Sequence, residues 1–430
     1  MESVITQSVQ QLVRPGKCVD VYYPDPETAK KQCYRTSQNT RYVQSLTNLG
    51  QGSNTLTIPP NNGVQDVVLS LALPAGTLAN LAICRGWGYA LIKQISFRYG
   101  GSSQFFLSGQ QVMQAVLSQA TDGSSRDALL SLGGDAAAGA DFATQRFAYC
   151  WLPLPHCIPS SRGKLPPFPS DLLTQQIQIT VELYPLSQIF SVGSGGSLST
   201  IPTTLASGSF QVQQVLLENQ GDALARRVDM SSHALSYPVT FRQQEAVISL
   251  GQGATIDPTT AAGTQTVSLT GFRGGEVKEV HCWLTADSAN TPTPAVGAVQ
   301  NPFAWFSLEN VQLLYAGEVY ARGDANVTQL WNLVNGRIPS VVNDVRVVTG
   351  TTPTITTTGL DSWTILPFGQ TYDPETAHSM YMSGKPITNG IVNLQFSIPK
   401  TAPSSTYTLH VSYVYNAVIE FSQGTCDYVF

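Results

Sequence analysis

The sequence predicts an all-β chain built from two tandem copies of one antiparallel unit. Three observations carry that reading. Charged residues make up only 12% of the 430 residues, about half the roughly 25% usual for soluble domains. Ser, Thr, Gln, Asn, Gly and Pro take their place, a mix that suits short strands joined by many turns. Apolar residues recur with a period of two in many separate runs, as half-buried strands require. A series of segments then recurs in the same order about 200 residues later, the mark of a duplicated unit.

Residues 1–40 stand apart. Arg14, Lys17, Lys30, Lys31 and Arg35 mix there with Asp20, Asp25 and Glu27, and Pro15, Pro24 and Pro26 break any long helix. This stretch reads as an N-terminal arm that orders on the inner face of an assembly; the plainer alternative is a frayed terminus. The first unit follows over 41–220. Val67 to Leu73, Ala90 to Tyr99 and Gln176 to Leu183 read as its strands, and Gly109 to Gln119 as a short helix. Gly123 to Asp141, rich in Ala, Gly and Ser, reads as a loop, and so does the Gly/Ser stretch Ser191 to Thr200. Residues 221–238, with Arg226, Arg227 and Asp229, form the linker, with Asp222 to Val228 as a third helix candidate. The second unit occupies 239–430. Its strands are Val311 to Tyr315, Val392 to Ile398 and Tyr407 to Phe421; its helix candidate is Asn326 to Val334; its long loop is Asp287 to Asn301.

The repeat sets the register. Leu49-Gly50-Gln51-Gly52 recurs as Leu250-Gly251-Gln252-Gly253, and Gln65 opens a strand as Gln265 does. Ile95 to Gly101 matches Val311 to Gly317, Gln178 to Val181 matches Asn393 to Phe396, and Val212 to Asn219 matches Leu409 to Asn416. An antiparallel unit of this size closes as a barrel or a two-sheet sandwich, of which the jelly roll is a common form. Three chains of two units each would surround a threefold axis with six similar bodies.

The composition also limits function. A net charge of -5 argues against coating nucleic acid, which needs a basic surface. The start Met1-Glu2-Ser3-Val4 has no basic segment leading into an apolar one, and no run of about 18 apolar residues exists, so neither a secretory signal nor a membrane span is expected. Cys18, Cys33, Cys84, Cys150, Cys157, Cys282 and Cys426 are odd in number and irregular in spacing, which suits reduced, partly buried thiols.

No catalytic constellation emerges. His156, His233, His281, His378 and His410 form no pair at metal-ligand spacing. In the adjacent pairs His156-Cys157 and His281-Cys282, neighbouring strand residues point to opposite faces. Gly193 to Ser197 lacks the strand-to-helix setting of a nucleophile elbow, acidic residues are scattered, and the six Trp are not clustered along the chain. The Gly-rich turns lack the Lys and following helix of a phosphate cradle. No enzyme, cofactor or metal site is expected. Arg322-Gly323-Asp324 is the triplet that integrin ligands present on a loop, so these three residues are the one candidate receptor contact, although a turn needs Gly there in any case. Asn326-Val327-Thr328 is a glycosylation sequon with no signal to bring it to the glycosylating compartment.

Four segments resemble a known family. Trp87 to Gly101 is similar to the "hydrophobic, Lys, strand, Gly-Gly" segment of the major capsid proteins of nucleocytoplasmic large DNA viruses, virophages and polinton-like viruses. Leu152-Pro153-Leu154-Pro155, the Pro-rich stretch through Pro169 and the strand to Leu183 resemble that family's Leu-Pro segment. Val212 to Glu218 with Arg226, Arg227, Ser232 and His233 resembles the close of its first jelly roll, and Ser383-Gly384, Asn393 to Phe396 and Tyr407 to Phe421 its C-terminal end. The resemblance covers about residues 40 to 421. It implies two tandem jelly rolls and a structural major capsid protein that forms a homotrimer, a pseudo-hexameric capsomer that tiles an icosahedral shell. It implies neighbouring capsomers, pentons and minor capsid proteins as partners, no sequence-specific nucleic-acid binding, and a place in the virion after assembly in the host cytoplasm or nucleus. An internal membrane is compatible but not indicated. The alternatives are a tandem jelly-roll carbohydrate-binding or attachment protein and a minor double jelly-roll component.

Overall fold

Strand pairing in the first unit is nested, like one long hairpin folded over on itself. In the computed structural model the described residues are 37–60, 63–99, 105–117, 123–152, 154, 168–217, 235–245, 247–251, 253–260, 264–272, 275–287, 295–297, 300–303, 305–323, 340–349, 352–368, 385–387 and 391–429. The first unit's strands are β1 (Ser37–Ser45), β2 (Gly52–Ile58), β3 (Gly63–Ala72), β4 (Leu78–Ile83), β5 (Ile92–Arg98), β6 (Phe105–Leu107), β7 (Ala137–Gly139), β8 (Phe147–Leu152), β9 (Ile177–Leu183), β10 (Phe190–Val192) and β11 (Ser207–Leu217). They form one sheet in the order β1-β11-β3-β8 and another in the order β2-β9-β5-β6. The partners β1–β11, β2–β9, β3–β8 and β5–β6 lie inside one another in sequence, which is the jelly-roll winding. Alternation explains the layers: Ile177, Ile179, Val181 and Leu183 of β9 are buried between the sheets, while Gln178 is exposed.

The second unit repeats the winding. Its strands are β12 (Leu235–Gln244), β13 (Ile248–Leu250), β14 (Gln265–Leu269), β15 (Gly275–Ala286), β16 (Trp305–Phe306), β17 (Glu309–Tyr315), β18 (Glu318–Gly323), β19 (Ser340–Thr349), β20 (Thr352–Ser362), β21 (Thr364–Pro367), β22 (Lys385–Ile387), β23 (Val392–Ser397), β24 (Tyr407–Ser422) and β25 (Thr425–Val429). One sheet runs β12-β24-β15-β16 and the other β14-β23-β17-β18. The expected all-β class of two tandem jelly rolls is therefore the observed one.

The repeat drawn from sequence holds at the level of single cross-strand pairs in part of the chain. Phe97 faces Ile179 and Ser96 faces Thr180 in the first unit; their sequence counterparts Leu313 and Gln312 face Leu394 and Gln395 in the second. The match of Val212 to Leu409 also joins equivalent strands, β11 and β24. One match fails. Gln65 lies in β3, whereas Gln265 opens β14, the counterpart of β2. The two Leu-Gly-Gln-Gly turns do lie in the same connection, before β2 and before β14, but the second copy adds residues after its turn. Chance similarity of short polar runs then carried the alignment one strand out of step. Both turns need glycine: Gly52 and Gly251 have φ of 138° and 96°.

Among the described residues, three α-helices interrupt the first unit: α1 (Trp87–Leu91), α2 (Gly109–Leu117) and α3 (Gly123–Leu132). Helix α2 lies where the sequence predicts it. Ala90 and Leu91, by contrast, belong to α1 and not to the strand that follows. The run Trp87 to Leu91 is apolar on every side, and periodicity cannot tell a fully buried helix from a buried strand. Packing decides: a Cβ on Gly88 would lie 2.6 Å from the Cys150 sulfur and 2.8 Å from the Ala148 side chain, so this turn seats directly on β8. The expected loop Gly123 to Asp141 is also corrected, because it holds α3 and β7. Leu130 anchors α3 in the core, and Arg85 ties it down through the Asp127 carbonyl at 2.9 Å and the Ser131 hydroxyl at 2.7 Å. The stretch Ser191 to Thr200 likewise carries part of β10, paired to β4. The helix candidates Asp222 to Val228 and Asn326 to Val334, and most of Asp287 to Asn301, lie outside the described residues. Among the described residues no helix is long and apolar enough to cross a membrane.

One continuous hydrophobic core runs through both units. The terminal hairpin β24–β25 reaches back to the first unit. There Gly424 accepts from the Thr174 amide at 2.8 Å, Tyr428 meets the Phe105 ring edge-on at 5.1 Å, and Phe421 packs on Phe168 at 5.8 Å.

Candidate functional site: the junction between the two units

A largely buried polar network lies where the first unit meets the second, and helix α2 builds it. The helix starts on a reciprocal cap: the Ser108 amide donates to Gln111 Oε1 at 3.0 Å, and the Gln111 amide donates to Ser108 Oγ at 3.3 Å. This is the capping box that Ser108-Gly109-Gln110-Gln111 spells. Val112, Met113, Val116 and Leu117 turn into the first unit's core. Gln110, Gln111 and Gln114 turn instead to the second unit, onto the outer face of β12-β24-β15-β16.

Each glutamine satisfies groups that burial would otherwise strand. Gln110 Oε1 accepts from the indole nitrogens of Trp283 and Trp305, both at 3.2 Å, while its amide nitrogen donates to the Pro302 carbonyl at 2.9 Å. Gln111 Nε2 donates to the Val411 carbonyl at 3.3 Å. Gln114 Oε1 accepts from Arg242 at 3.2 Å, so its amide nitrogen is the group that meets His281 Nδ1. That nitrogen must then be the acceptor, which puts the imidazole proton on Nε2, 2.7 Å from Glu279. His281 is fully buried, and the chain Arg242, Gln114, His281, Glu279 gives each buried group a partner. Burial lowers the Arg242 pKa while Glu279 opposes the shift.

Beside α2 a cleft of about 420 Å³ opens between the units, with Lys93, Tyr184, Gln188, Asp287 and His410 among its lining. Lys93 pairs with Glu182 at 2.7 Å. His410 stacks on Trp283 at 5.3 Å, and its Nε2 lies 3.0 Å from the Thr285 hydroxyl. Desolvation pushes the His410 pKa down from 6.5 to about 4, with Asp287 acting weakly the other way. The unfolded chain takes up this proton near pH 6.5 and the folded chain does not, so stability is full above pH 6.5 and falls as the pH drops toward 4. At pH 5 the expected loss is about 2 kcal/mol. Thermal unfolding of the wild type and His410→Gln at pH 7.5 and 5 checks this: the variant's midpoint should fall less.

The remaining candidates are dispersed. Arg322 is exposed on β18 opposite Gln312, and Gly323 faces Val311. The pair sits at the end of a hairpin strand, not in its turn at Ala316-Gly317, and Asp324 lies outside the described residues. Cys18, Cys33, Cys157, His156, His233, His378 and the sequon at Asn326 lie outside them as well. Cys84, Cys150, Cys282 and Cys426 are free and buried; burial raises all four thiol pKa values, those of Cys84 and Cys426 to about 12, so they are protonated and unreactive. Among the described residues no cluster of three or more His, Cys, Asp or Glu could hold a metal. Three tryptophans dispersed along the chain meet in space. Trp283, Trp305 and Trp363 have ring centroids 5.3 and 5.7 Å apart, but they are buried and offer no sugar platform.

No protein-family model matches the sequence, and no curated protein matches it. Solved structures do. The chain is similar to the capsid of the virus PBCV-1 with a TM-score of 0.61 at 11% identity, over 92% of this chain and 98% of that one. It is similar to a chain of the Sputnik virophage with a TM-score of 0.54 at 11% identity, over 95% and 92% of the two chains. The mavirus major capsid protein gives 0.51 at 10% identity, over 95% and 93%. At such low identity the likeness is one of fold: these are viral capsid structures, and this chain has their double jelly-roll architecture along nearly its whole length.

Proposed function

We propose that the chain is a structural major capsid protein that forms a homotrimeric, pseudo-hexameric capsomer and tiles an icosahedral viral shell. The observation that carries the reading is the junction itself. Two jelly rolls are locked side by side by α2, by the returning hairpin β24–β25 and by one shared core, so the chain acts as a rigid pair of similar blocks. Three such pairs around an axis offer six similar sides for lattice contacts. The low charge content supports extensive burial against neighbours, since interface centres are poor in charge. Neighbouring capsomers, pentons and minor capsid proteins are the partners of such a block, and the virion, assembled in the host cytoplasm or nucleus, is its place. The residues before Ser37 act as the arm and those before Leu235 as the linker between the units; Ser37 to Thr40 and Leu235 to Pro238, expected in the arm 1–40 and the linker 221–238, pair instead as strands β1 and β12. The exposure of Arg322 supports a receptor-contact role for Arg322, Gly323 and Asp324.

Size-exclusion chromatography with mass measurement tests the reading. The expected mass is about three times the chain's 46.2 kDa. A stable monomer at high concentration contradicts it and favours a tandem carbohydrate-binding protein.

A further inference from the structure

The cleft beside α2 is built from one end of each unit. Its lining comes from the start of β5, the segment after β9 and the start of α2 in the first unit, and from the end of β15 and the start of β24 in the second. The pairing register says which end this is. The chain enters the first unit at Ser37, which faces Leu217, the last residue of β11. The segment after β9 that brings Tyr184 and Gln188 to the cleft leads instead to Ser207, the first residue of β11. The cleft therefore lies at the end of the unit opposite the chain's entry. Both charged residues of its lining are already engaged. Lys93 pairs with Glu182 at 2.7 Å, and the two Asp287 oxygens accept from the Thr406 and Thr408 hydroxyls at 2.6 and 2.9 Å. Desolvation holds the His410 pKa at about 4, so its ring adds no charge near neutrality. What the lining leaves over is neutral and hydrogen-bonding: the side-chain amides of Gln94 and Gln188, the Tyr184 phenol, and His410, whose Nδ1 is buried with no partner among the described residues. A buried polar atom of that kind calls for a partner.

We propose that this cleft binds a neutral glycan, a hexose or short oligosaccharide of a host cell surface. Its volume of about 420 Å³ falls in the range of small-ligand sites. Sugar hydroxyls both donate and accept hydrogen bonds, and so do primary amides, a phenol and a neutral imidazole. Tyr184 adds an aromatic body with a polar tip, which suits a sugar's apolar face and its hydroxyls together. An anionic ligand would find Lys93 already paired and Asp287 opposing it. A cationic one would have to draw Asp287 away from two hydroxyls. The Trp283 ring, stacked on His410, holds that imidazole in place. The outward direction of the cleft rests on the shell reading above: with the residues before Ser37 as an inner arm, the opposite end of the unit faces the host.

Saturation-transfer difference NMR on the full chain tests the proposal. The probes are glucose, galactose, mannose, N-acetylglucosamine and lactose at millimolar concentration, with glucuronic acid, sialic acid and glucosamine as charged counterparts. Transfer to at least one neutral sugar is expected. It should be lost in Val247→Trp, which sets a large ring at an exposed position of the lining. Gln188→Ala should weaken it about tenfold. Far-ultraviolet circular dichroism should be unchanged in both variants. Transfer to the charged sugars alone overturns the proposal. So does transfer that survives both substitutions, which puts the site elsewhere, and so does the absence of transfer to any probe. None of these outcomes touches the shell reading, which the mass measurement decides. A monomer that binds a neutral sugar in this cleft overturns the shell reading alone.

Discussion

Trp283→Ala is expected to destabilise the chain by about 4 kcal/mol, the largest effect of any single truncation at the junction. The indole is fully buried, stacks on His410 with 7° between the planes, packs on Trp305 and donates to Gln110. Its loss leaves a cavity in the wall shared by the two units and removes one of the two donors that orient Gln110. The control is Phe147→Ala, at the same edge of the first unit's sheet but exposed, which should change the stability of the isolated chain by less than about 0.5 kcal/mol. Denaturant unfolding of both variants measures the contrast. Similar losses for the two would mean that the first unit's face is already covered within the chain.

Gln114→Leu is expected to cost about 3 kcal/mol, because it removes at one stroke the acceptor of Arg242 and the partner of His281 Nδ1. Leucine fills the volume, so the loss reports polar satisfaction and not packing. Gln114→Glu gives a sharper readout. A carboxylate still accepts from Arg242, but it offers His281 Nδ1 an acceptor where the amide offered a donor, so the folded state gains affinity for a proton there. A raised folded pKa contributes stability below the unfolded pKa and loses it as the pH rises. The deficit of Gln114→Glu against wild type should therefore be smaller at pH 5.5 than at pH 8, while that of Gln114→Leu should not narrow in this way. Thermal midpoints at the two pH values decide it.

Much of the fold was legible because the strands alternate. Where Gln178 to Val181 and Asn393 to Phe396 keep period two, the sequence match located the same cross-strand pairs in both units. It failed where alternation carries no information. Trp87 to Leu91 is apolar throughout, and only contact with β8 makes it a helix. The segment from Gly123 has few large apolar residues, so buried Leu130, Leu129 packed beside it on the core, and the grip of Arg85 specify α3. The register of Gln65 slipped by a strand because turn residues recur for local reasons that do not track topology.

The junction was harder to read. Its signal was present: the capping box at Ser108 to Gln111 marks the start of α2, and three glutamines on a short helix with an apolar opposite face imply a polar but dry contact. Their partners Arg242, His281, Trp283 and Trp305 are more than 100 residues away in sequence, and neither local pattern nor spacing links them. The buried tryptophan cluster was hidden for the same reason, since Trp283, Trp305 and Trp363 are far apart along the chain.

Electron cryomicroscopy of particles assembled from the chain decides whether it builds a shell. Closed shells are expected, with hexagonal capsomers that each contain three chains and show six similar lobes of density. Particles in which the chain sits as isolated monomers on another protein's lattice, or preparations that never form a lattice, would contradict it.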